Sequence, residues 1–184
     1  MKRIVCSIIS VILCLSLVAC GGGSSTTVTE GEWESALALK NATASGFLTE
    51  NGEQEPVIFK ISDTVYYSKN DGYSAWCLEE DGKFYMYSND DLEGQLVSGV
   101  SISVGGILTS FHIPEYEKFA YDETKSAYVS QNAEYPAAFY EYNIYFEDGK
   151  IKKFESLSKE GAVQYSFNFT DYGSTEIELP DFLK

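Results

Sequence analysis

The feature that most constrains this chain is a recurring pair of turn residues. Asn51-Gly52, Asp71-Gly72, Asp81-Gly82, Asp148-Gly149, Glu160-Gly161 and Tyr172-Gly173 punctuate the sequence, most of them between stretches rich in Tyr, Phe, Val, Ile and Thr. Asn-Gly and Asp-Gly supply the positive φ angles that tight hairpins need, and the flanking residues favour extended backbone. Short extended segments joined by tight turns pair with their chain neighbours, so the spacing predicts an antiparallel meander.

Side-chain alternation points the same way. Val163, Tyr165, Phe167 and Phe169 alternate with Gln164, Ser166, Asn168 and Thr170, and Tyr140, Tyr142, Ile144 and Phe146 alternate with Glu141, Asn143, Tyr145 and Glu147. Val57, Phe59 and Ile61 form a shorter third case. A period of two buries one face of each strand and wets the other. The strand around 151–159 loses its alternation at Lys152-Lys153, which predicts a bulge that bends the sheet. A short helix is expected over 30–40, with acids in its first turn and Trp33, Ala36, Leu37 and Lys40 at helical spacing.

One segment breaks the strand rhythm. From Leu92 to Ile113 the chain carries Leu96, Val97, Val100, Ile102, Val104, Ile107, Leu108, Phe111 and Ile113 with almost no charge and four glycines. Part of it, around 103–111, is expected to form a short helix that is apolar on all sides, and such a helix must be buried or cover something apolar. Ile113-Pro114 and Tyr135-Pro136 then mark returns to strand. The expected fold class is α+β, mainly β, with about ten strands, an N-terminal helix and a central apolar helix or loop.

The N-terminus reads as an address. Met1-Lys2-Arg3 precedes an uncharged run from Ile4 to Ala19, then Cys20 and three glycines. A basic start, an apolar core and a small-residue cleavage point describe a secretory signal, and the run falls short of the ~20 residues a spanning helix needs. Leu17-Val18-Ala19-Cys20 resembles the bacterial lipobox. That resemblance implies cleavage before Cys20 and lipid attachment to its sulfur, with the protein extracytoplasmic and anchored to the cell membrane. The expected organisation is a signal peptide over 1–19, a lipidated flexible tether over 20–29 and one domain over 30–184.

Loss of Lys2 and Arg3 with the signal leaves 11 lysines against 28 acids, a charge of −17, and no arginine. Such a chain repels nucleic acid and anionic headgroups, and it lacks the side chain best suited to gripping phosphate or carboxylate. Cys77 is the single cysteine past Cys20, so no internal disulfide is available to the domain and packing must stabilise it.

The inventory for catalysis is thin, and no enzyme activity, cofactor or metal is expected. His112, the only histidine, sits in Phe111-His112-Ile113-Pro114 and is expected to be a structural residue. No Gly-x-Ser-x-Gly elbow, phosphate-binding Gly-Lys-Ser/Thr loop or dinucleotide glycine fingerprint occurs. Acids cluster at Glu79-Glu80-Asp81, at Asp90-Asp91 with Glu93, and at Glu115 with Glu117, in turns and loops where they stay solvated. The Asn89 to Glu93 loop has oxygen ligands that suit calcium but not the spacing of an EF-hand. Cys77, between Trp76 and Leu78 with no basic neighbour, reads as a buried inert thiol.

Two stretches carry a family resemblance: Phe146-Glu147-Asp148-Gly149-Lys150-Ile151-Lys152-Lys153, and Tyr165-Ser166-Phe167-Asn168-Phe169-Thr170-Asp171-Tyr172-Gly173 with Ile177 and Pro180 after it. Together with the lipobox, tether, helix and apolar mid-chain insertion, they resemble the LolA-like group of periplasmic and surface lipoproteins. The resemblance implies a strongly curved antiparallel half-barrel whose concave apolar side is closed by helices and loops and, in several members, holds lipids or acylated proteins. A Cys20 anchor departs from the freely diffusing shuttles of that group.

These readings converge on one expected cavity. Its floor would be Phe59, Phe84, Met86, Tyr142, Ile144, Tyr165 and Phe167, and its cover Leu96, Val100, Val104, Ile107, Leu108 and Phe111. The expectation is a membrane-anchored, non-enzymatic protein binding a lipid or other amphiphile there. The alternative is a module whose cavity is filled by its own rings and which binds an envelope protein through surface tyrosines such as Tyr85, Tyr87 and Tyr145.

Overall fold

The computed structural model describes residues 27–131 and 140–184. The expected signal segment, Cys20 and Tyr135-Pro136 lie outside the described residues. Helix α1 (Glu30–Leu37) leads into β1 (Ala42–Glu50), β2 (Glu53–Ile61), β3 (Val65–Lys69), β4 (Ser74–Glu80), β5 (Lys83–Ser88) and β6 (Gln95–Val97). After helix α2 (Val104–Thr109) and a 3-10 turn (Tyr116–Lys118) come β7 (Ala120–Asp122), β8 (Ala127–Gln131), β9 (Glu141–Glu147), β10 (Lys150–Leu157) and β11 (Val163–Thr170). All eleven strands form one open antiparallel sheet in the order β6-β5-β4-β3-β2-β1-β11-β10-β9-β8-β7.

That order is two meanders joined at their inner strands. β1 to β6 step outward to one edge, and β7 to β11 step inward from the other until β11 pairs with β1. The hairpins form where the turn dipeptides predict them: Asn51-Gly52, Asp81-Gly82 and Asp148-Gly149 each hold positive φ at both residues. The expected bulge is also present, as the β9–β10 register shifts between Ile151 and Lys153. At the junction Gly46 of β1 faces Phe167 of β11, where a Cβ would stand 1.7 Å from the Ser166 carbonyl oxygen. Only glycine lets the two meanders approach this closely.

Getting from β6 at one edge to β7 at the other obliges residues 98–119 to cross a face of the sheet. They cross the concave one, which explains why the segment is apolar where its neighbours alternate. Ser103 caps α2 by accepting from the Gly106 N–H at 3.1 Å, and the Val104 N–H donates to Leu39 O at 2.9 Å. Val104, Ile107 and Leu108 are fully buried, each contributing roughly 1.5–3 kcal/mol. Phe111 then inserts among Phe59, Phe154, Tyr165 and Phe167, with ring centroids 4.9–6.0 Å away.

Helix α1 is shorter than the expected 30–40 because it ends at Leu37, but its start follows from chemistry in the sequence. Thr29 and Glu32 form a reciprocal capping box. Trp33, 1% exposed, anchors the helix between Tyr116, Phe119, Tyr128 and Phe146 at 4.9–5.7 Å. Ahead of it, Val28 is tied down by Tyr128 and Tyr116, whose hydroxyls donate to its carbonyl oxygen.

A second crossing runs over the convex face. After β11 the Gly173 N–H donates to Asn41 O, the Thr175 and Thr43 hydroxyls meet at 3.4 Å, and Lys60 Nζ donates to Glu176 O at 3.1 Å. Thr43, Lys60, Tyr67 and Trp76 are successive register partners on β1 to β4. The C-terminal strand-free segment therefore runs across them as a strap, ending with Phe182 edge-on to Trp76.

Candidate functional site

Register places the expected floor on one face. Phe59, Tyr142, Ile144, Tyr165 and Phe167 share the concave side with Phe84 and Met86 at its far end. Most of that face is occupied by the chain itself. Val104, Ile107, Leu108, Phe111, Tyr142, Ile144 and Phe167 are buried against one another, with Phe59, Phe84 and Tyr165 half-buried around them.

An opening remains at the β6 side. Between the concave face of β3 to β5 and the segment 97–110 lies a recess of about 310 Å³. Its floor is Tyr66, Cys77 and Met86, one register row on β3, β4 and β5. Val97 of β6 closes one side, and the roof is Gly99, Val100, Ser101, Gly106, Thr109 and Ser110. Of the thirteen residues expected to enclose a cavity, Met86 and Val100 line this recess. The others pack in the core around α2, except one.

Leu96 is that exception and a correction to the expected cover. It pairs with Tyr85 and so lies on the opposite face from Phe84 and Met86, 64% exposed. The cause is the short strand β6, which carries the alternation of the sheet into a stretch that reads as uniformly apolar. His112 also differs from its apolar sequence setting: it closes α2 at positive φ and is exposed. Tyr85, Tyr87 and Tyr145 are half-buried, and the Tyr145 hydroxyl donates to Glu155 at 2.9 Å.

Tyr66 and Cys77 were not among the expected cavity residues, because Cys77 reads only as the buried inert thiol it is and Tyr66 as one member of an ordinary strand. Counting back from Met86 across the Asp81-Gly82 turn reaches Cys77, and counting again across Asp71-Gly72 reaches Tyr66, so turn symmetry was the available signal.

The chemistry of the recess is passive. Burial pushes the Cys77 thiol up, and burial together with the neighbouring Cys77 raises the Tyr66 phenol well above its ordinary range. Both groups are neutral at physiological pH, so the floor presents no charge. Gly106 is required at the roof because a Cβ there would stand 1.8 Å from the Ser101 carbonyl oxygen. Among the described residues no group of three or more His, Cys, Asp or Glu side chains is placed to hold a metal ion, and no helix is long and apolar enough to cross a membrane.

Comparison with family models and with curated protein sequences finds no match.

Proposed function

We propose that this protein is a non-enzymatic binding module of the bacterial envelope, anchored through Cys20, that accepts an apolar chain or the tail of an amphiphile in the recess between β3–β5 and the 97–110 segment. The observation that carries the reading is the pairing of an uncharged floor, Tyr66, Cys77 and Met86, with an equally uncharged cover of Val97, Val100, glycines and hydroxyl side chains around about 310 Å³ of open space. That volume is at the lower end of the ~300–1,000 Å³ typical of small-molecule pockets, which fits one chain rather than a multi-acyl lipid. Affinity would come from apolar area leaving water, at about 25 cal/mol per Å². Gly99 and Gly106 in the roof allow it to sit close over the ligand.

The test is extraction of the purified protein with organic solvent and analysis of what is released, alongside titration with a fluorescent fatty acid. Val100→Trp fills the recess from its roof and is expected to abolish both signals while the fold persists. Unchanged fatty-acid binding by Val100→Trp would refute the site.

A second reading has one observation in its favour. Helix α2 and Phe111 fill the greater part of the concave face with the protein's own side chains, as in a module that acts through its surface on an envelope protein. An empty extract with no fatty-acid binding by the unmodified protein would favour it.

A further inference from the structure

On the convex face, the C-terminal strap leaves a trough of about 500 Å³ against β2, β3 and β4. Lys60, Tyr67 and Trp76 form its sheet wall, and residues 177–181 with Lys184 form the other. Nothing in the concave-face reading uses it.

Its polar groups describe a ligand. Trp76 is 9% exposed, and its indole N–H, sealed from solvent, meets no acceptor among the described residues. An unmade hydrogen bond of this kind is destabilising, so a ligand that parts the strap from the sheet and brings an acceptor to the indole is favoured there. Lys60 spends one of its three donors on Glu176 O and keeps two. Lys184 pairs with Asp181 at 2.9 Å, and Glu178 stands exposed on the same strap. Among its side chains two ammonium groups and two carboxylates balance, with donors and acceptors side by side.

That mixture discriminates among ligand classes. An anion would meet the two carboxylates as well as the lysines, and no arginine is present to hold it. An apolar chain would cover the spare Lys60 donors and leave the indole N–H unpaired. A sugar hydroxyl both donates and accepts, so it can bridge Lys60 or Trp76 to a strap carboxylate. The apolar faces of sugar rings also have walls to lie against in Tyr67, Trp76 and the strap proline, Pro180; the Tyr67 and Trp76 ring centroids are 5.4 Å apart.

We propose that the trough between the C-terminal strap and β2–β4 binds a short, neutral oligosaccharide, with Lys60 and Trp76 as hydrogen-bond donors. The two tryptophans of the chain make a convenient assay, because Trp33 is sealed in the core and Trp76 reports on the trough. The full-length protein is titrated with neutral trisaccharides of glucose, mannose, galactose and N-acetylglucosamine, reading tryptophan emission, with calorimetry in parallel.

A saturable emission change with at least one of them is expected. Trp76→Phe should remove the optical signal and weaken the calorimetric affinity. Lys60→Met, which keeps the aliphatic stem, should weaken binding about tenfold, the loss of one or two hydrogen bonds, with an unchanged far-ultraviolet spectrum. Val100→Trp, on the other face, should leave sugar binding untouched, so this site stands or falls apart from the apolar recess. Silence across the panel, full affinity in Lys60→Met, or tighter binding of an oligogalacturonate than of every neutral sugar would overturn the proposal.

Discussion

The two halves of the concave face are built from the same alternating pattern, yet one is sealed and the other open. Over β1, β2 and β9 to β11 the inward side chains pack around α2, Phe111 and Trp33, most of them fully buried and Phe59, Phe146 and Tyr165 half-buried at the margin. Over β3 to β5 the inward row Tyr66, Cys77 and Met86 ends at a recess, and Met86 is 41% exposed. The sealed half has strands of seven to nine residues, whereas on the open side β3, β5 and β6 have five, six and three and only β4 reaches seven. What differs is where the crossing segment touches down. The 98–119 segment reaches the floor through α2 and only bridges the β3–β5 side, so one concavity becomes part core and part site.

The most damaging way to break this division is to remove the ring that seals the first half. Phe111 touches four other rings, and Phe111→Ala leaves a cavity that surrounding strands cannot close. A loss of about 3–5 kcal/mol is expected, read from the urea midpoint at constant slope. If the sealed half is sealed by Phe111, the variant should also bind more of an apolar dye than the unmodified protein. A loss below about 1 kcal/mol would place the seal elsewhere.

Gly106 belongs to both halves, since it sits on α2 and roofs the recess. Gly106→Ala forces a Cβ toward the Ser101 carbonyl oxygen, so helix and loop must separate. Overpacking of this kind costs about 1–3 kcal/mol. Because the displaced element is the roof, amide exchange in residues 98–110 should quicken while exchange in β1 and β11 is preserved. Uniform acceleration across the sheet would mean that the roof is not a separate unit.

The strand half of the architecture was legible because turn chemistry and alternation are local. Asp148-Gly149, the Lys152-Lys153 interruption and the cap around Thr29 each determine their own geometry within a few residues. The candidate site was legible only in outline. Which face Leu96 takes depends on pairing with Tyr85, and whether Phe111 fills space or frames it depends on how far the crossing segment descends. Both are set by contacts distant in sequence. The convex strap was invisible for the same reason: Thr175, Glu176 and Phe182 have no periodic pattern, and their partners on β1, β2 and β4 lie more than a hundred residues away.

The smallest expected effect concerns the outer surfaces of the two halves. Among the described residues, the ion pairs Lys125–Glu141, Lys152–Glu147 and Lys153–Glu155 lie on or beside β8 to β10, and no ion pair joins strands β3 to β6. Partial burial pushes the Glu141 carboxyl up, but the Lys125 ammonium at 2.6 Å and the Asn143 amide pull harder, and the net shift is downward. A folded-state pKa below the unfolded one means that the pair stabilises the protein above the ordinary carboxylate range and loses that contribution as pH falls through the depressed value. Glu141→Gln is therefore expected to cost up to about 1 kcal/mol at neutral pH, with the difference vanishing in acid. The same change at Glu80, an exposed acid on the outer face of β4, should leave the urea midpoint unmoved at both pH values. Equal sensitivity at the two positions would show that the acid response follows overall charge rather than this pair, and that the electrostatic distinction between the halves does not hold.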